Sequence, residues 1–384
     1  MSLLDTLTAK INNDSSNYIQ FGIPAERVQN VNYDTTPVKA GSGYFRVWAV
    51  EMRVTDPNLL VDYYPVLHSV ISFDYNRQKV ELTRVTGLDS LKSSTGSNFD
   101  MNKTVALNFP LTDLIPFNGG NLELSAGLMA MKQRDMLQSV IKMASDFSAM
   151  LAVPQLSSAL QIAQPLANNI ERLIGLGDNV FRLGYHNTFT TAGGGGSNDL
   201  RPQYIVVIAA KQGDGLGRDG ADHWIVNDHL VYIDPNDPNK RPVDVPRDYM
   251  LLRLEVRRSR DDWTNLSSLN DPFVEAMRLM VDDATKSKAQ LKRAILQVLE
   301  SPDVAEEDRM VIAQQLRKKY DERFELVGLE TNVEEEPLTL GQALDSLNQA
   351  QPDAAEPQPA QPQPEGMQTP GGKKGLSVDD LLNV

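Results

Sequence analysis

In the stretch YFRVWAVEMRV at 44–54, apolar and polar positions alternate. Tyr44, Trp48, Val50, Met52 and Val54 fall on one side, with Arg46 among them. Glu51 and Arg53 fall on the other, which is the period of a half-buried strand. VLHSVISFDYN (66–76) and QKVELTRV (78–85) repeat that period around a turn at Asn76-Arg77 and predict a hairpin. Further strands are predicted at 103–109 and 121–130, separated by Pro, Asn and Gly.

The period then lengthens. Apolar residues at 137, 140, 141, 144, 147 and 151 have helical spacing, and a second stripe runs from Leu156 to Ile174. Pro165 should kink that second helix, and Gly175 and Gly177 should end it. Strand patterns return at 179–190, 203–211 and 249–258, the last alternating Met250, Leu252, Leu254 and Val256 against Arg253, Glu255 and Arg257. HWIVNDHLVYI (223–233) predicts a hairpin on Asn227-Asp228, which would pair Val226 with His229 and His223 with Tyr232. From Asp271-Pro272 onward two helices are expected, about 272–300 and 303–325, split at Ser301-Pro302.

These elements predict a mainly β fold with α: an antiparallel β-sandwich interrupted by an inserted helical pair, then a C-terminal helical segment and a disordered tail. The expected boundaries are 1–268 for the sandwich with its insertion at 131–177, 269–326 for the helical segment and 327–384 for the tail. Regular βα alternation, the mark of a parallel sheet, is missing.

Charge sharpens the division. The 384 residues carry a net −14, and residues 327–384 hold −8 of it, leaving −6 for the body. Neither part offers the positive field that a phosphate backbone rewards, so nucleic acid is not an expected partner. Cysteine is absent, which removes disulfides, thiolate metal sites and cysteine nucleophiles from consideration. The opening MSLLDTLTAKINND has no basic region followed by an apolar one, and no apolar run of membrane-spanning length occurs. A cytoplasmic protein is the expectation.

Candidate chemistry is sparse. Of the four histidines, His223 and His229 would share a face on one straight strand and could reach a common metal. The hairpin places them on opposite faces and argues against a site. His68, in an alternating strand, reads as a satisfied core or half-exposed residue, and Ser69 beside it points away from it. G-x-S-x-G, H-E-x-x-H and P-loop patterns are absent. No cofactor or resident metal is expected. The loops at 213–222 and 234–240 are rich in Asp, Asn and Gly; as oxygen donors they could gather calcium, although turns need the same residues.

Two features carry a functional expectation. From Phe147 to Gly177 only Glu171 and Arg172 are charged, so the helical pair should be covered by its own body, by a second copy in a homo-oligomer, or by lipid. Lipid ranks last for want of basic residues. In the tail, a linker at about 348–375 holds six prolines, and beyond it Ser377 can cap a short helix. Asp379 and Asp380 lie in its first turn, and Val378, Leu381 and Leu382 form one apolar stripe. Similar patterns occur at 2–7 and 338–349. A tether followed by a foldable apolar peptide suits helix-in-groove recognition. The expected function is a non-enzymatic adaptor or scaffold that binds a protein partner through Ser377, Val378, Leu381 and Leu382. The alternatives are a membrane-acting module, with or without calcium, and a hydrolase whose site is dispersed in sequence.

Overall fold

The computed structural model describes residues 3–14, 18–29, 34–55, 63–86, 105–132, 180–191, 198–210, 220 and 222–332. The expected helical pair, the GGGGS loop, all of the 213–222 loop except Gly220 and Asp222, and the tail beyond 332 lie outside them. So do Ser377, Val378, Leu381 and Leu382.

The described chain is mainly β, with a few helices. In order it forms α1 (Leu3–Asp14), β1 (Tyr18–Ile23), β2 (Val28–Gln29), β3 (Tyr44–Arg53), β4 (Tyr63–Tyr75) and β5 (Gln78–Thr86). Then come β6 (Val105–Pro110), β7 (Ile115–Pro116), β8 (Leu122–Lys132), β9 (Val180–Phe189) and β10 (Gln203–Ala209). The strands end with β11 (His223–Val226), β12 (His229–Ile233), β13 (Pro242–Asp244) and β14 (Tyr249–Arg257). α2 (Ser267–Asp282), α3 (Ala284–Glu300) and α4 (Glu306–Asn332) follow. No described helix is long and apolar enough to cross a membrane.

The chain divides into two compact units, Met1–Ser267 with Ser301–Arg309, and Ser268–Glu300 with Met310–Val384. The first unit is built from three sheets. A central sheet has the order β1-β10-β14-β3-β6, with β7 added beside β3. An outer sheet runs β5-β4-β8-β9, and a small sheet β13-β12-β11-β2. Every strand pair is antiparallel except β2 with β11.

The outer and central sheets form the sandwich. Phe45, Val47, Met52, Val207, Met250 and Leu252 meet Ile71, Phe73, Leu82, Leu124, Leu128 and Leu183 in one apolar core. The small sheet covers the other face of the central one, packing Ile225, Leu230 and Val245 on Val206, Ile208, Tyr249 and Leu251. Covering both faces explains why QYIVVIA and YMLLRL read as nearly continuous apolar runs.

Both expected hairpins form. Asn76 and Arg77 have φ of 49° and 63°, and Asn227 and Asp228 have 54° and 60°. These are the paired left-handed residues of a two-residue turn that matches strand twist. Helix α1 lies on the outer face of the outer sheet, where Leu4, Leu7 and Ile11 cluster with Val70. Gly127 and Gly184 face each other across β8 and β9 beneath it. A Cβ on Gly184 would stand 2.7 Å from Ile11 Cγ1, and one on Gly127 3.3 Å from Leu7 Cδ1. The glycine pair is a notch into which the helix settles.

The helical segment departs from expectation in three places, one of them its end: α4 spans Glu306–Asn332 where a helix over 303–325 is expected, and so enters the first residues assigned to the tail. The segment's first helix starts at Ser267, not at Pro272, which lies inside it as the sixth residue. That position is past the first turn, so the proline cannot supply the amide that would bond the Ser268 carbonyl, and the helix forgoes one internal bond there. The expected single helix to 300 is broken at Asp283, whose Oδ1 accepts the Lys286 amide at 3.0 Å and caps α3. Apolar spacing continues through the break, so periodicity alone did not reveal it. In this second unit, the buried Ser287 hydroxyl donates to the Ala276 carbonyl at 2.7 Å and lies 2.7 Å from the Tyr320 hydroxyl, tying α2, α3 and α4 together.

Candidate functional site

The expected facing of 44–54 fails at Val50. Strand β14 pairs Leu251 with Glu51 and Leu252 with Ala49, which leaves Val50 as a β-bulge. Phe45, Val47 and Ala49 face the sandwich core before it, and Met52 and Val54 after it. Trp48 and Val50 face the opposite way. Glu51 therefore sits on the face carrying the small sheet, not opposite Trp48 as simple alternation predicts.

There it is the buried base of a polar cluster that reaches out to the surface at Asp244. Glu51, 4 % exposed, accepts the Leu230 amide at 3.1 Å and the His229 Nδ1 proton at 2.5 Å. His229 Nε2 donates to Asp244 Oδ1 at 3.2 Å, and Arg53 Nη1 lies 3.9 Å from Asp244 Oδ2. The Glu51 hydrogen bond, opposed by partial burial and helped by Asp244, raises the imidazole to about 9. At neutral pH the ring is a cation with both N–H groups engaged. A general base needs a free nitrogen and an affinity near the working pH. This imidazole offers neither, and its geometry is that of a clamp joining β3, β12 and β13.

A second polar stripe crosses the same face of β3 and β14. Trp48 Nε1 donates to Glu255 at 2.6 Å, while the Arg253 and Arg46 guanidinium carbons lie 4.9 and 5.5 Å from the indole centre. Arg253 Nη1 bonds Asp228 at 3.1 Å, and the Tyr204 hydroxyl donates to that same carboxylate. Arg46 pairs with Asp113 and Arg257 with Glu255. Burial opposes it, yet the Arg257 and Trp48 bonds hold the Glu255 carboxyl below its ordinary range. Each cation of the stripe thus has its anion.

The remaining candidates resolve locally. His68, buried, bonds Thr83 Oγ1 through Nε2 at 3.0 Å. Ser125 Oγ stands 2.8 Å from His186 Nδ1, a serine–histidine contact between paired strands that sequence reading missed because the residues are 61 apart. Ser125 is fully buried, and Thr8 of α1 covers it with Oγ1 at 3.1 Å. The trio fastens α1 to the outer sheet. In the 234–240 loop, Asp234 accepts the Asn236 amide at 2.8 Å and Asp237 the Asn239 amide at 2.9 Å, closing Asx turns. Among the described residues no three His, Asp or Glu side chains gather as metal ligands. Hairpin pairing gives His223↔Tyr232 and Val226↔His229 as expected, and the two imidazoles have separate surroundings.

The fold and these clusters define a three-sheet β protein whose polar ties join sheet to sheet. Scans against protein-family models, curated proteins and solved structures found no match to the chain.

Proposed function

We propose that the protein is a non-enzymatic adaptor or scaffold that recruits a protein partner through its C-terminal peptide, with Leu381 and Leu382 as anchors, Val378 as an accessory contact and Ser377 as the cap. One observation carries this reading: a proline- and glutamine-rich linker runs into a segment with a helix cap, acidic first turn and apolar stripe. A segment of that composition cannot bury enough apolar surface to fold alone, and a two-turn helix needs a surface to form on. Helix α1 supports the idea by analogy within the molecule. Its Leu4, Leu7 and Ile11 stripe follows the same design and rests on a complementary apolar notch. The reading includes a cytoplasmic setting, in keeping with a chain without cysteine.

Affinity capture tests it with three matched baits: the full chain, a chain ending at Asn332, and Leu381→Ala with Leu382→Ala. Fully burying each leucine contributes on the order of 1.5–3 kcal/mol, so the double variant should lose at least about tenfold in affinity. The same proteins should leave both altered baits. If the double variant retains every partner of the full chain, recruitment through the terminal peptide is wrong.

A further inference from the structure

The small sheet is fastened to the central sheet by two histidines of opposite character. His229 is the charged clamp between Glu51 and Asp244. His223, 1 % exposed, lies at the other end of the β11–β12 hairpin, between Phe21 of β1 (ring centres 5.3 Å apart) and Tyr232 of β12 (5.7 Å). Neither of its ring nitrogens has a hydrogen-bond partner. Buried polar groups are otherwise nearly always paired, so an imidazole left bare in an apolar clamp is tolerated only while uncharged.

Its electrostatic setting reinforces this. Arg27 follows β1 and Arg247 precedes β14; both disfavour a charge on the ring, and Asp222, just before β11, favours one. Burial is the largest influence and holds the imidazole below its ordinary value. The same corner is closed by backbone. The Gly220 carbonyl accepts the His223 amide at 3.0 Å and Arg27 Nη1 at 2.7 Å, and a Cβ at Gly220 would strike the Phe21 ring.

We propose that the β11–β12 hairpin is a pH-gated flap, held on the central sheet by one histidine that must stay neutral and one that must stay charged, so that acid releases it through His223 and alkali through His229. The two arms have opposite signs. A released His223 would protonate near its ordinary 6.5 while the docked ring resists, so attachment is intact above that value and weakens as pH falls below it. The docked His229 holds its proton up to about 9, so its contribution is complete below about 6.5 and is lost as pH rises toward 9. Attachment is therefore tightest near pH 6.5, and what opening uncovers is the apolar face of Phe21, Val206 and Leu251.

Hydrogen exchange of the 223–233 amides in the full-length protein, corrected for intrinsic rate, reads this directly. Opening should be least near pH 6.5. It should rise by up to about tenfold per pH unit toward pH 5 and again toward pH 9, as one-proton linkage requires, while β14 and β4 stay unchanged. His223→Phe, which keeps an aromatic ring between Phe21 and Tyr232, should erase the acid arm only; His223→Leu is the second choice if the phenylalanine does not fit. Glu51→Gln should shorten the alkaline arm, since it brings the docked His229 toward its ordinary value. A wild-type profile flat between pH 6.5 and 5, or an acid arm that persists in both His223 variants, overturns the proposal.

Discussion

Glu51 shows how one side chain can answer for a junction. It receives two donors from β12, one of them an imidazolium, in a place with little water. Glu51→Gln keeps an acceptor for the Leu230 amide but removes the charge that holds the His229 proton. An NMR titration should show His229 falling from about 9 toward its ordinary range. Stability at pH 7 should drop by about 1–3 kcal/mol, the smaller end being favoured because His229 is partly solvated. Tyr44 has a comparable duty. Its buried hydroxyl donates to Asp308 at 2.7 Å and accepts the Ala305 amide at 3.0 Å, and burial followed by that carboxylate holds its proton far above the ordinary tyrosine range. Tyr44→Phe should cost about 1–3 kcal/mol in urea unfolding, since it leaves a buried amide without its acceptor and a buried carboxylate short of a donor.

Between helix α1 and the outer sheet the contact is short-range and steric. Gly184→Ala would push a methyl group into Ile11, so α1 should lift or tilt, at a cost of about 1–3 kcal/mol. Exchange of the 3–14 amides should quicken while that of β4 and β14 does not. The leucine spacing at 2–7 gave the helix away in the sequence, but its dock was hidden, because the notch pairs glycines 57 positions apart on strands that only folding makes neighbours. Strands with clean alternation were legible for the same reason: β14 puts Met250, Leu252 and Leu254 inward as its pattern says. β3 was legible as a strand and misread as a surface, because one inserted residue at Val50 exchanges the faces beyond it. Short β2 and β13 carry too few residues to show any period, so the small sheet appeared only as its central hairpin. The Glu51–His229 cluster was invisible too, since it joins residues 178 apart across two sheets.

For the molecule as a whole, the described core closes by Val327, and the proposed role for the tail asks nothing of it in folding. A chain ending at Asn332 should keep the unfolding free energy of the full chain within about 0.5 kcal/mol, measured by denaturant titration. A chain ending at Glu300 should not. The segment 301–309 belongs to the sandwich unit, although 33 residues of helix separate it from the last strands. Asp303 receives the Tyr75 hydroxyl at 2.7 Å, and Asp308 receives the Tyr44 hydroxyl and the Arg260 amide, the latter at 2.8 Å. Arg260 Nη1 donates in turn to the Asp303 carbonyl at 3.0 Å. Protein synthesis runs from the N-terminus, at about 5–20 residues per second. Tyr44 must therefore wait for an acceptor 264 residues downstream, on the order of tens of seconds of elongation. In the closing seconds of that interval, while the residues between Arg257 and Asp308 are made, a nascent chain carries every described strand of the sandwich without its closing clasp, and this is when a chaperone or a protease has its opportunity.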